Sequence, residues 1–197
     1  MTTPIARGPL VDWHRRNGAT IAMCDGWEIA AHHASLDDAR TNLLVDLSHR
    51  ATMEINGPVT RPSLIELFGV DVPLRQIHIN TGGEIYRLTP TRAIVFGSAA
   101  MGQNSLDVTG AWSTLSLRGP DAERILSKVT AVDLRERTLP PLSCCQGPIF
   151  GVNTLFGRFE DRFDLHVASD SAEFFWEVLL DAGAEFGLRP AGVDDRP

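Results

Sequence analysis

Twice in this chain a strand of alternating residues runs into Gly-Pro and then into a short helix. The first copy is Ala51-Thr52-Met53-Glu54-Ile55, ending at Asn56-Gly57-Pro58 ahead of a helix over Pro62 to Phe68. The second is Ala111 to Arg118, ending at Gly119-Pro120 ahead of a helix over Asp121 to Lys128, with Asp121 near its N-terminus. Strands that stop at a turn and hairpins that outnumber crossovers predict helices packed on antiparallel sheets. The fold class is therefore α+β. A two-lobed core is expected, one lobe over residues 9–100 and the other over 107–190, tightly joined, each an antiparallel sheet flanked by helices.

Other segments fill in this plan. Leu10 to Asn17 reads as a helix closed by Gly18, and Ala19 to Met23 as a short strand before the Asp25-Gly26 turn. Ser35, followed by Asp37 and Asp38, reads as the N-cap of a helix through Leu44. Leu44 to Ser48 begins a strand that Ala51 to Ile55 continues. Leu74 to Asn80 and Glu84 to Thr89 make a hairpin across Thr81-Gly82-Gly83, with a further strand over Arg92 to Phe96. Val152 to Phe159 and Asp161 to Ala168 are strands, and Ser171 to Phe186 is an amphipathic helix carrying Phe174, Phe175, Val178, Leu179 and Ala182.

At 197 residues the chain can bury a real core. Its net charge of −7 opposes a phosphate backbone or an anionic membrane surface, so neither nucleic acid nor membrane is an expected partner. The three cysteines, Cys24 and the adjacent Cys144 and Cys145, read as free structural thiols of a reducing cytosol rather than a disulfide framework. The opening MTTPIARGPL has no apolar leader, and no run approaches a membrane span, so a cytoplasmic location is expected. No Cys or His stands at zinc-like spacing from Cys144, and His32-His33 have only distant partners, so no metal site is expected.

Residues 9–57 carry a specific phrase: Leu10, His14, Gly18-Ala19, Gly26-Trp27-Glu28, Arg40, Asp46, Ser48-His49 and Gly57. It resembles the opening of the glycine cleavage T-protein, a tetrahydrofolate-dependent aminomethyltransferase. That family carries an acidic pair after a Gly-Gly, one member of which faces the reacting folate nitrogens. Here Gly82-Gly83 is followed by Glu84-Ile85-Tyr86-Arg87, so Tyr86 and Arg87 stand where the acidic pair belongs. A neutral phenol and a cation cannot stabilise a developing iminium as a carboxylate does. Glu84, two positions before Tyr86 and on the same strand face, is the weak catalytic candidate, against the favoured reading of a solvated acid beside a turn.

Residues 110–183 resemble the γ subunit of heterotetrameric sarcosine oxidase, a relative of the T-protein. The matches include Leu117, Gly119-Pro120-Asp121-Ala122, Asp133-Leu134, Pro140-Pro141, Cys144, Gln146, Phe163, Leu165 and Trp176. This resemblance implies a subunit that supports larger flavin-containing oxidase subunits without running the chemistry. Glu160 falls where the T-protein family has a Gly-Glu that holds the pterin end of folate, with Phe159 in place of the glycine. Its carboxylate can accept two parallel N–H donors; the competing reading is a plain hairpin-turn acid. The cofactor-binding candidates are thus Glu160, Tyr86 and Arg87, and the implied cofactor is tetrahydrofolate.

The remaining motifs read as structural. Trp27 packs under a sheet and Glu28 bonds nearby backbone; His49 beside Ser48 faces the other way and makes no nucleophile pair. The loop Pro140 to Pro148 fixes a strand entry. The T-protein continues into a C-terminal barrel domain, whereas this sequence stops at Pro197 and is expected to lack it. The expected role is an accessory subunit of a folate- and flavin-dependent amine oxidase or demethylase, in a heteromeric complex of one-carbon metabolism. The alternative is a free-standing tetrahydrofolate binder or small aminomethyltransferase. A partner surface is expected at Leu139, Pro140, Pro141, Leu142 and the Phe150 to Phe159 region.

Overall fold

The computed structural model of the protein describes residues 6–33, 42–81, 83–97, 102 and 104–195. The elements in order are β1 (Ala6–Arg7), α1 (Val11–Arg16), β2 (Thr20–Cys24), β3 (Trp27–His32), β4 (Leu43–Asp46), β5 (Thr52–Asn56), α2 (Thr60–Phe68), β6 (Ile77–Asn80), β7 (Gly83–Thr89), β8 (Arg92–Phe96) and β9 (Ser105–Asp107). They continue as β10 (Trp112–Arg118), α3 (Ala122–Ser127), β11 (Ser143–Ile149), β12 (Val152–Arg158), β13 (Arg162–Ala168), α4 (Ala172–Gly183) and β14 (Arg189–Ala191). The N-terminal part of the helix expected behind Ser35 lies outside the described residues, and its expected end, Leu43-Leu44, is strand.

Strands dominate and the few helices lie against them, as the alternation predicts. One sheet has six strands in the order β11-β12-β13-β10-β4-β14, another five in the order β6-β7-β8-β5-β9, and a small third has β1-β3-β2. Two pairings, β4 with β14 and β1 with β3, are parallel, and the other strand pairs are antiparallel. The parallel pair arises because β14 follows a helical return along α4 rather than a hairpin turn.

The sequence from Leu44 to Ile55 is not one strand. The chain breaks at residues 47–51, where the Arg50 N–H donates to Leu47 O (3.1 Å), and β4 and β5 enter different sheets. Leu43, Leu44 and Val45 are all buried, which suits β4 to an interior place between β10 and β14. The break leaves His49 and Arg50 at the junction of the sheets. Pro140 to Pro148 is not simply a loop either, since Ser143–Ile149 forms the edge strand β11. Pro148 is tolerated there because an edge position does not need its N–H.

Three packing layers result. Phe175, Trp176 and Leu179 of α4 pack with Leu10 and Trp13 of the first helix region against Leu115, Phe156 and Leu165 of the six-stranded sheet. Burying side chains of this size stabilises by about 1.5–3 kcal/mol each. On the five-stranded sheet, Met53, Ile55, Ile85 and Val95 pack under Leu64 of α2. The opposite face of that sheet presents Ile77, Tyr86, Ile94 and Phe96 to Cys144, Leu155 and Phe159 of the six-stranded sheet. The functional candidates lie in this last layer.

Candidate functional site: a buried ionic cluster between two clefts

β7 begins at Gly83, whose φ of +127° and close approach to Phe96 O leave no room for a side chain; a Cβ would sit 2.3 Å from that oxygen. Strand alternation then sends Ile85 and Arg87 towards α2, and Glu84 and Tyr86 towards β13. The shared facing of Glu84 and Tyr86 is as the sequence predicts. The solvation of Glu84 is not. Glu84 is only 7% exposed, and two guanidiniums grip it. Arg50 Nη1 donates to Oε2 (3.0 Å), and Arg162 Nη2 donates to Oε1 (2.8 Å).

The cluster extends on both sides. Arg162 Nε donates to Asp164 Oδ1 (3.1 Å), and its guanidinium lies over the Phe159 ring at 3.7 Å. Arg50 Nη2 donates to Phe96 O (3.2 Å), in space kept open by Gly97, where a Cβ would come within 2.7 Å of the guanidinium. Burial raises the Glu84 carboxyl above its ordinary value, while Arg50 and Arg162 work against that rise. Both oxygens of Glu84 are occupied as acceptors, so the carboxylate nearest the expected acidic position is locked into a salt-bridge network.

Tyr86 is fully buried. Its ring meets Phe96 (5.2 Å) and His166 (5.0 Å) edge-on, and the His166 ring stacks on Phe96 at 3.7 Å. Gly157 makes the space: a Cβ there would lie 2.3 Å from the Tyr86 hydroxyl oxygen. Burial pushes the phenol well above 10, so it stays protonated. Arg87 points to the opposite face, where Nη2 donates to Pro90 O. Tyr86 and Arg87, expected to touch a cofactor, therefore line neither of the clefts beside Glu84 and Glu160. A ring of this size facing the core side of β7 gains more from burial than from a ligand contact, and Arg87 falls on the wrong side of the pleat.

Glu160 is exposed at the β12–β13 turn, on a cleft of about 390 Å³ that also includes Phe159, Arg158, Arg162 and Glu123. A second cleft of about 370 Å³ is lined by Glu84, Arg50, His49, Asp25, Asn80 and Thr81. Arg162 walls the first cleft and bonds the carboxylate that walls the second, so the ionic cluster stands between them. The residues the sequence reading missed are Arg50, Arg162, Asp164 and His166. The last three recur at every second position of β13, a polar face on an otherwise apolar strand, and that was their available signal.

A second polar network lies nearby. His14 Nδ1 and His33 Nε2 are 2.9 Å apart, and His14 Nε2 is 3.4 Å from Asp46 Oδ2. The Ser48 hydroxyl donates to Asp46 and accepts from the Thr114 N–H (3.2 Å), and Thr114 Oγ1 meets His166 Nδ1 (2.9 Å). Trp13 and Trp176 wall His14 edge-on. Ser48 thus serves this chain of bonds, while His49 lines a cleft. Trp27 packs against the Ile29–Val45 cluster as expected, but Glu28 bonds Arg15 (2.5 Å) and Arg7 (2.8 Å) rather than backbone.

Other expectations divide. Leu142 and Phe150 are exposed at 42% and 49%, whereas Leu139, Leu155, Phe156 and Phe159 are buried. Burial holds the Cys144 thiol at about 12, so it is protonated and inert. Among the described residues no group of three His, Cys, Asp or Glu side chains is arranged for a metal ion, and no helix is long and apolar enough to cross a membrane.

The family model described as the GCVT N-terminal domain matches residues 98–196, just over half of the chain. The aminomethyltransferase of Geobacillus thermodenitrificans is 30% identical over 229 aligned positions, covering 98% of this chain and 62% of the relative. That of Desulfitobacterium hafniense is 26% identical, with 98% and 63% covered. The chain therefore spans less than two thirds of the length of these curated relatives. Among solved structures, the glycine cleavage system aminomethyltransferase T of Bartonella henselae superposes with a TM-score of 0.78 at 18% identity, over 98% of this chain and 61% of that one. A chain of the heterotetrameric sarcosine oxidase of Corynebacterium sp. U-96, in complex with pyrrole 2-carboxylate, gives 0.71 at 19% identity, over 92% of this chain and 96% of that one. At these identities the structural likeness is one of fold. Its two-lobed α+β core and the match over more than half its length place this chain in the family of the GCVT N-terminal domain.

Proposed function

We propose that this chain is an accessory, non-catalytic subunit of a folate- and flavin-dependent amine oxidase or demethylase, held against larger flavin-containing subunits. The observation that carries this reading is the neutralised Glu84. Catalysis of aminomethyl transfer calls for a carboxylate free to stabilise a cation or take a proton. Here the acidic positions hold Tyr86 and Arg87, and Glu84 already accepts from Arg50 and Arg162. The similarity in fold to one chain of a heterotetrameric sarcosine oxidase supports an assembly role.

Glu160 supports a second reading, a free-standing tetrahydrofolate binder. Its carboxylate is exposed on a cleft of about 390 Å³, within the range of small-molecule sites. Glu160 would hold the pterin amino and ring N–H groups, with the largely buried Phe159 ring stacked against Arg162 in the wall of the same cleft. The folate itself would supply the one-carbon chemistry.

Two measurements on the isolated chain separate these readings. Turnover with tetrahydrofolate and an aminomethyl donor is expected to be at background, and clear turnover rejects the non-catalytic reading. Calorimetry with tetrahydrofolate is expected to show no tight binding if the accessory reading holds. Tight binding lost on Glu160→Gln supports the second reading instead.

A further inference from the structure

The outer edge of the six-stranded sheet, bridged to Gln76 only at Ser143, carries a groove. Two clefts of about 200 and 190 Å³ share Arg75 and Cys144 and so run together along β11. This strand is the outermost of its sheet. Ile149 pairs with Val152 across the two-residue turn Phe150-Gly151, so Cys145, Gly147 and Ile149 exchange hydrogen bonds with β12. The main-chain groups of Cys144, Gln146 and Pro148 consequently point outward. Cys144 N–H donates to Arg75 O (2.9 Å), and Pro148 O accepts from the Thr130 hydroxyl (2.7 Å). Between them, the N–H and C=O of Gln146 meet no partner among the described residues.

The backbone at and beside the groove is held in an unusual shape. Arg75 and Leu142 both adopt left-handed backbone, at φ 61° and 57°, a conformation that costs free energy for residues with a side chain. Hydrogen bonds on either side fix them: Arg75 N–H donates to Arg87 O (2.6 Å), and Leu142 O accepts from Ile77 N–H (2.7 Å). The Arg75 guanidinium has no carboxylate partner among the described residues, in a chain whose net charge is −7. Leu74, 51% exposed, stands beside it.

We propose that this groove receives an extended acidic segment of a partner protein, which adds a short strand to β11 at Gln146 and sets a carboxylate against Arg75. The proposal rests on the accessory-subunit reading above and gives the partner its chemistry. One exchanged pair of main-chain bonds, a charge-assisted contact to Arg75 and apolar contact with Leu74 and Leu88 together supply register and selectivity. Pro148 ends the open edge after one pair. A second copy of this chain fits poorly, because its own β11 edge carries the same proline and the same unpaired Arg75 cation.

The test is an NMR titration of the full ¹⁵N-labelled chain with two capped pentapeptides, Val-Thr-Glu-Val-Thr and Val-Thr-Lys-Val-Thr. The acidic peptide is expected to give saturable shifts at the Gln146 and Gly147 amides, and the lysine peptide to bind at least about tenfold more weakly. Arg75→Gln should weaken the acidic peptide about tenfold, and Gln146→Pro should abolish its binding by removing the edge N–H. If Gln146→Pro does not fold, Arg75→Gln decides, because it changes no main-chain bond. Absent shifts at β11, equal affinity for the two peptides, or concentration-dependent self-association through β11 overturns the proposal. Sedimentation with purified flavin-containing oxidase subunits distinguishes it from the reading beneath it. A complex that Arg75→Gln leaves intact sinks the groove and keeps the accessory role. Acidic-peptide binding at β11 with no such complex keeps the groove and sinks that role.

Discussion

Two polar networks cross the interior of this protein, and they are held together on different terms. Between the two large sheets, Arg50, Glu84, Arg162 and Asp164 form a cluster of two cations and two carboxylates. Between α1 and the six-stranded sheet, His33, His14, Asp46, Ser48, Thr114 and His166 form a chain of imidazoles and hydroxyls around one carboxylate. In the first, each charge is matched by an opposite charge, so deleting one group strands its neighbours. In the second, hydrogen bonds link imidazoles and hydroxyls but leave the Nε2 atoms of His14 and His166 without one among the described residues, so the arrangement depends on how many protons it holds. The ionic cluster leaves no carboxylate idle for chemistry, and that is the physical content of the non-catalytic reading.

The largest expected effect comes from breaking the ionic cluster. Glu84→Ala leaves Arg50 and Arg162 without their shared partner in a site mostly closed to water, and should cost about 3 kcal/mol in urea denaturation at pH 7. Loss below about 1 kcal/mol would mean that water already screens the cluster and that the two networks do not differ in kind. A smaller loss is expected where the cluster meets the aromatic stack. Gly157→Ala drives a methyl into Tyr86, whose hydroxyl oxygen, Cε1 and Cζ would lie 2.3, 2.7 and 2.8 Å away. Overpacking of this kind costs about 2 kcal/mol after the modest gain from a stiffer unfolded chain. Adding Tyr86→Phe removes only the nearest of these atoms, so it should restore part of the loss; full restoration would show that the hydroxyl alone is confined.

The networks differ, too, in how far the sequence revealed them. Alternation placed β10, β12 and β13 and the α4 helix within a few residues, because each is a local pattern with one buried face. It joined β4 to β5, since periodicity carries no information about which sheet a strand enters. It missed β11, whose prolines and glycine read as loop but sit at an edge that tolerates them. Glu84 was misjudged for the same reason of range. Beside a Gly-rich turn it looks solvated, and its partners are 34 and 78 residues away in sequence. Family resemblance singled out Glu160 as a pterin-binding carboxylate, and it lies on a cleft wall; the same resemblance gave no warning that Tyr86 turns into the core, which Gly157 makes possible from the opposite sheet.

The smallest effect at neutral pH, and the sharpest test of the second network, is its response to acid. Burial and the neighbouring His14 lower the His33 pKa from 6.5 to about 4, against a weaker opposing pull from Asp195. The unfolded chain therefore takes up this proton first as pH falls, and stability drops between about pH 6.5 and 4 while remaining unchanged above. Burial lowers the His166 imidazole as well, with the same sign. Asp46 is pulled down by His14 and Ser48 in spite of its burial, so its contribution persists to lower pH and disappears only below the ordinary carboxylate range. Glu84 acts in the opposite direction: its raised value makes the folded chain the better proton acceptor just above 4.5, which offsets part of the acid loss there. Urea midpoints at pH 7, 5.5 and 4.5 should fall for the natural chain, and His33→Gln should flatten the decline while His166 keeps some of it. Parallel pH profiles for the natural chain and His33→Gln would show that His33 is already hydrated. The histidine chain would then be a set of separate surface and core contacts, and the distinction between a charge-matched and a proton-matched network would rest on the cluster around Glu84 alone.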